Sequence, residues 1–174
     1  LQDVPISMTV FNQHELSTRN IVNAADLAAF TPSLSANSNF GSDNSSYAIR
    51  GFVQDLGTAP SVGVYFADVV ALRGASNGFP VGNGTGAGAF FDLQNVQVLK
   101  GPQGTLRGRS APTGAITFTT KRANLDEFGG MIHLSGTTLD AINAQAAIGV
   151  PIIKDVLAIR VAGSLNHTEG NGVK

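Results

Sequence analysis

The sequence predicts two unlike parts: a loop-rich α+β domain with short helices over residues 1–122 and, from residue 128 onward, the first antiparallel strands of a transmembrane β-barrel. Three observations carry that reading. The stretch Phe91–Arg122 (FDLQNVQVLKGPQGTLRGRSAPTGAITFTTKR) holds two short strands, Val96–Lys100 and Ala115–Thr120, joined by a connector that glycine dominates. Beyond Glu127, three segments alternate apolar with small or polar residues at period two. Charged residues make up only 13% of the chain, against roughly 25% in an ordinary soluble domain. With 21 glycines among 174 residues, that balance disfavours a helical cytosolic enzyme and favours a loop-rich β protein.

From the N-terminus, Val4–Phe11 (VPISMTVF) alternates around Pro5 and reads as a strand. It is placed at a sheet edge, because proline cannot donate to a ladder. Gln13–Arg19 reads as a short helix. Asn23 is the expected N-cap of a second helix, Ala24–Phe30, which Thr31-Pro32 ends; Leu27 and Phe30 are assigned to its buried face. Residues 40–46 are polar, hence a loop feeding Tyr47-Ala48-Ile49-Arg50-Gly51. Ser61–Ala67 alternates as a strand, and Val69–Leu72 continues it after a turn at Asp68. Gly74–Gly88 has six glycines in fifteen residues and no periodicity, so it reads as a surface loop. Loops carried on a rigid scaffold are also common binding elements, and here Asn77, Phe79 and Asn83 offer amide donors and one aromatic face.

In the connector, Gly101, Gly104, Gly108 and Gly114 supply backbone freedom and Pro102 fixes one φ angle, so the segment is a compact shaped loop. Thr105-Leu106-Arg107 is long enough for one helical turn. The strand that leaves it puts Ile116 and Phe118 on one face, Thr117 and Thr119 on the other. Lys121–Glu127 is a charged, strandless link, with residues 123–127 as linker between domains. Then Gly130, Ile132 and Leu134 alternate with Met131, His133 and Ser135. Ile142, Ala144, Ala146, Ile148 and Val150 alternate with Asn143, Gln145, Ala147 and Gly149, and Leu157, Ile159, Val161 and Leu165 with Ala158, Arg160, Ala162, Ser164 and Asn166. Turns fall near Thr138–Asp140 and Ile153–Asp155. One face suits lipid and the other a lumen, and Arg160 falls on the lumen side. A soluble three-stranded meander would leave its edges open, and three strands cannot close a barrel. Residues 128–174 are therefore expected to open a truncated one.

Other chemistry has no footing. Net charge −1 gives no electrostatic footprint for nucleic acid, and without cysteine there are no disulfides or thiolate metal sites. G-x-x-x-x-G-K-[ST] fails at Gly108-Arg109-Ser110, and G-x-S-x-G is absent. His14, His133 and His167 stand outside metal-ligand spacing. No catalytic residues, cofactor or metal are expected.

The run VQVLKGPQGTLRGRSAPTGAITFTTKR resembles the signature that closes the plug domain of TonB-dependent outer-membrane receptors. There, V-E-V-L-K/R-G-P is followed by a helical turn, aromatic-G-R-N, small residues, G-A-I and a strand ending in T-K. Val96, Val98, Leu99, Lys100, Gly101, Pro102, Gly104, Leu106, Gly108, Arg109, Gly114, Ala115, Ile116, Thr120 and Lys121 match. Gln97, Arg107, Ser110 and Pro112-Thr113 depart from the pattern. Ala-Asp-Leu and Thr-Pro-Ser-Leu within residues 25–34, Ile49-Arg50-Gly51, and Pro60-Ser61-Val62 with Val64-Tyr65 are further likenesses; Asp68 comes one place late, and the turn glycine usual after it is missing.

The resemblance implies a small mixed β-sheet with short helices and long loops, lodged in a roughly 22-stranded barrel. It implies a receptor for energised uptake of a siderophore, cobalamin, sugar or similar small molecule or metal chelate. Asn44, Asn77, Phe79 and Asn83 would face the substrate from apical loops. Arg50 and Arg109 would contact the barrel, Arg50 partly buried against a carboxylate or carbonyl, and Gly51 would join the turn glycines. Partners would be TonB, through a box expected before Leu1, the remainder of the barrel, and outer-membrane lipid. A soluble periplasmic binding module using Gly74–Gly88, and a nucleotide enzyme using Gly101–Ser110, are the rival readings.

Overall fold

The computed structural model describes residues 7–37, 45–53, 59–71, 75–76, 79–80, 90–103, 108, 110–137 and 141–168. The chain divides into two compact units, Leu1–Thr120 and Lys121–Lys174.

The first unit runs β1 (Ser7–Asn12), α1 (Gln13–Thr18), α2 (Ala24–Ala29), β2 (Leu34–Asn37), β3 (Ser46–Ile49), β4 (Val62–Phe66), β5 (Val69–Val70), β6 (Ala75–Ser76), β7 (Phe79–Pro80), β8 (Leu93–Lys100) and β9 (Gly114–Thr120). Five of these form one sheet in the order β1-β8-β9-β4-β5. It is mixed: β9 pairs antiparallel with β8 and parallel with β4. The strand expected at an edge, β1, is at one. Central β9 is buried on both faces, so Thr117 is as hidden as Ile116 and Phe118.

One sheet face carries the core. Val62, Val64, Val96, Val98, Ile116 and Phe118 pack with Phe11, Leu16, Ile21, Ala24 and Leu27. Phe66 stacks on Phe118 at 4.8 Å, and Phe90 meets the same ring edge-on at 5.2 Å. The other face holds a small cluster, Tyr65, Leu99 and Ala115.

Each helix has six residues, too few to stand alone in water. Capping and burial hold them. Asn23 Oδ1 accepts from Asp26 N at 2.9 Å, while Asp26 Oδ2 accepts from Asn23 N and Val22 N. The same reciprocal box forms at α1 between Asn12 and Glu15, a cap the sequence reading had not assigned. One correction concerns Phe30. Helix α2 ends at Ala29, so Phe30 is its C-cap and 43% exposed rather than core. The Arg19 guanidinium covers its ring at 5.4 Å and that of Phe11 at 5.7 Å.

Two loops take shapes that local sequence does not specify. The turn between β4 and β5 closes on the pair Phe66↔Val69, with Ala67 and Asp68 at φ 46° and 67°. Positive φ at both central residues is the primed-turn geometry that glycine or asparagine usually supplies. Here Ala67 N donating to Phe118 C=O at 3.0 Å helps to hold it. Within the aperiodic Gly74–Gly88 segment, β6 and β7 form a short antiparallel ladder, Ser76↔Phe79 and Ala75↔Pro80, a pairing too brief to leave a period.

The second unit is an antiparallel meander, β10 (Gly129–Thr137), β11 (Ala141–Ile153) and β12 (Leu157–Thr168). Lys154-Asp155-Val156 joins the last two, with Val156 N donating to Ile153 C=O at 3.1 Å and Asp155 at φ 60°. The strandless segment from Lys121 folds against this end: Asp155 N donates to Leu125 C=O at 3.3 Å. Asn124 Oδ1 accepts from Asp126 N.

Gly114 tests the sheet. A Cβ there would collide with the Leu99 carbonyl oxygen and stand 2.6 Å from Ile49 Cδ1. Gly114→Ala is expected to cost about 2–4 kcal/mol through forced displacement of backbone, measured as a lowered midpoint of denaturant unfolding. Gly101→Ala, where a Cβ meets nothing within 4 Å, separates this clash from backbone strain alone.

Candidate functional site

The glycine connector leaves the sheet as a narrow neck. Beyond the last strand pair, Lys100↔Gly114, Gly101 N donates to Thr113 C=O at 3.0 Å and Gln103 N to Ala111 C=O at 2.9 Å. Gly101 takes φ 137° and Gly108 φ 67°; Pro102 is exposed and Ala111 buried. The neck is pinned to the start of β4 by Thr113, whose N–H and hydroxyl both donate to Ser61 C=O, at 3.2 and 2.9 Å. A position that departs from the resembled pattern thus carries a specific bond. Gly104, the expected turn at 105–107 and Arg109 lie outside the described residues.

At the end of β3, Ile49 is fully buried while Arg50 is exposed. Arg50 and Gly51 take φ 55° and 79°, and Phe52 N donates to Ile49 C=O at 3.2 Å, closing a two-residue turn. Arg50 N donates to Ser33 C=O at 2.9 Å, so backbone bonds fix a left-handed conformation that arginine rarely takes. Phe52 and Val53 follow, both largely exposed. Asn44, Asn77 and Asn83 lie outside the described residues, and of Phe79 the backbone pairing with Ser76 is what is described.

The second unit separates its faces by register. Successive cross-strand rows are Gly136–Ile142–His167, Leu134–Ala144–Leu165, Ile132–Ala146–Gly163 and Gly130–Ile148–Val161, followed by the pair Val150–Ile159. Among the described residues this face has no Asp, Glu, Lys or Arg, and its large side chains are open: Ile132 is 80% exposed and Leu134 72%. The opposite face carries Met131, His133, Gln145, Ala147, Gly149 and Arg160, half-buried or buried. Arg160 is paired with Gly149, where a Cβ would stand 3.4 Å from its Nη1, so glycine gives the guanidinium room to cross the sheet. Lys121, Arg122 and Glu127 line a small cleft with Arg160. From Ile142↔His167 to Ile153↔Leu157, the ladder rises about 23 Å along a membrane normal at roughly 3.3 Å per step and a tilt of about 45°. A barrel's apolar band is about 25 Å tall. No helix among the described residues is long and apolar enough to cross a membrane, which says nothing of crossing by strands.

A capped mixed sheet with a glycine neck, followed by strands with one uncharged, exposed face, defines the class: a loop-rich mixed-sheet domain with the opening strands of a β-barrel. A family model described as the TonB-dependent receptor plug domain matches residues 1–115, and the chain belongs to that family. The chain is 32% identical over 133 residues to the catecholate siderophore receptor Fiu of Escherichia coli K12, covering 66% of this chain and 17% of that receptor. The crystal structure of the ferric yersiniabactin uptake receptor FyuA from Yersinia pestis superposes with a TM-score of 0.67 at 27% identity, over 84% of this chain and 22% of that one. P. aeruginosa FpvA bound to heterologous pyoverdines gives a TM-score of 0.74 at 20% identity, over 95% and 21%. The chain therefore spans less than a quarter of each. The family is one of outer-membrane transport receptors rather than enzymes, and the bacterial outer membrane is where the chain belongs. None of these relatives is a soluble binding module.

Thr113→Val keeps the neck's shape and its N–H bond but removes the hydroxyl donor. The expected loss is about 1 kcal/mol of stability, with faster hydrogen exchange at the Gly101 and Gln103 amides than in the parent chain.

Proposed function

We propose that residues 1–122 are the plug, 123–127 the link and 128–174 the opening strands of the barrel in an outer-membrane receptor that takes up a ferric siderophore or similar chelate, driven by TonB. The observation that carries this is the direct succession, in one chain, of the plug-family sheet and strands whose exposed face is apolar over the height of a bilayer core. The plug blocks the lumen and is displaced when TonB pulls on a segment N-terminal to it. A stopper that must move is better held by wet polar contacts than by a dry apolar interface. Arg50 and Arg109 hold the plug to the wall, where an unpaired buried guanidinium would be costly and a barrel carboxylate or carbonyl supplies the partner. An exposed Arg50 on the isolated unit is available for such a contact. Asn44, Asn77, Phe79 and Asn83 meet the chelate from the apical loops. The chain does no catalysis; its work is gating and recognition.

Two measurements test this reading. In the full-length receptor, Val161→Arg places a charge on the apolar face and is expected to cost about 2–4 kcal/mol of barrel stability, read by urea unfolding in vesicles. The neighbouring Ala162→Arg, on the opposite face, is expected to leave it nearly unchanged; equal effects would refute the assignment of faces. Charge-neutral replacement of both Arg50 and Arg109 by Gln is expected to loosen plug docking and abolish most TonB-dependent uptake of labelled ferric siderophore. Unchanged docking and uptake would remove the role given to them.

A further inference from the structure

The exposed apolar face of β10–β12 is not evenly ridged. A groove of about 760 Å³ opens on it, several times the roughly 150 Å³ cavity that holds a benzene ring. It is lined by Phe128, by Gly130, Ile132, Ala146, Ile148, Val161 and Gly163 of this face, and by the row Met131–Ala147–Ala162 that runs between them. Register explains the shape. The row Ile132–Ala146–Gly163 falls from a large side chain to none, beside the row Gly130–Ile148–Val161, which rises from none to two branched ones. None of the lining residues carries a charge or a hydrogen-bonding side chain.

We propose that this groove seats one acyl chain of a membrane lipid, held longer than the lipids around the rest of the face. The proposal rests on the reading that the face meets lipid. In hydrocarbon there is no hydrophobic force to favour one apolar contact over another, so packing decides. A flat chain laid over the notch would leave its floor without partner atoms and forfeit dispersion contacts; a chain lying in it recovers them. The Phe128 ring, 68% exposed at the groove's end, adds a wide apolar wall there.

The test uses the full-length receptor in vesicles of phosphatidylethanolamine carrying a photoactivatable group on one acyl chain. Crosslinks are expected to be several-fold enriched at Ile132, Ala146, Ile148 and Val161 over Leu165 and Ile159, which are comparably exposed on the same face. Gly163→Leu fills the groove, and since a Cβ at Gly163 meets nothing within 4 Å, the variant has room to fold; it is expected to abolish the enrichment, and Ala146→Phe likewise. Even labelling of the whole face would overturn the groove while leaving the lipid-facing assignment intact. Labelling confined to the opposite face would sink both. Crosslinks from groove to a second receptor copy would make it a protein contact and overturn the lipid.

Discussion

The fold turns on one close approach, the start of β9 against the carbonyl of Leu99, which a residue with a side chain at position 114 could not make. From that point β9 runs antiparallel to β8 on one side and parallel to β4 on the other. Parallel pairing cannot be made by a tight turn, so the chain between Phe66 and Gly114 must leave the sheet and return. That long crossover includes β5 to β8 and the neck. The same constraint that buries Ile116 and Phe118 therefore also supplies long connecting loops, the kind of element that commonly carries binding residues. Thr113 links the two consequences, since its bonds to Ser61 tie the base of the neck to the strand that β9 runs beside.

The two units solve opposite solvation problems with the same residue types. Val62, Val64, Val96 and Ile116 are at most 1% exposed, while Ile132, Val161 and Leu165 lie 61–80% open. A soluble protein would lose stability and solubility by displaying a contiguous branched apolar face. In a bilayer the arrangement is the stable one, because hydrocarbon satisfies that face and the backbone groups that β10 and β12 turn toward β11 are paired in the ladder. Arg160 shows the same logic at one residue. It reaches Gly149 on the face opposite the exposed branched side chains, where a charge has room and polar company.

What was legible in the residues was what depends on near neighbours. Asn23 capping α2, the edge position of β1, the period-two faces of β10 to β12 and the stop at Gly101 all follow from local propensity or period. Phe30 was misplaced because a helix stripe was continued one residue past the true end, and at a C-cap the ring leaves the buried side. Asn12 fell between the segments read as strand and helix, and was assigned no role there, although it is the N-cap of α1. The β6–β7 ladder has too few residues to show alternation. The pairing of Thr113 with Ser61, 52 residues apart, and the parallel register of β4 with β9 leave no local signature. At Ala67-Asp68, where the usual turn glycine is missing, two non-glycine residues at positive φ depend on neighbouring strands over-determining the loop.

The sheet's two faces are unequal, and the difference bears on how a stopper can be both firm and releasable. On the helix-covered face the core is continuous. On the other, the buried cluster is small, and Thr117 Oγ1 is buried with no hydrogen-bond partner among the described residues. Its cross-strand neighbour Gln97 stands where the family pattern has glutamate. The Gln97 amide nitrogen donates to Asn95 Oδ1 at 3.2 Å. A buried hydroxyl left unpaired costs about 1–3 kcal/mol, and that cost falls on the face with less apolar burial to offset it. Local opening starts where such deficits gather. The β8–β9 seam is therefore better buried on its helix-covered face than on this one.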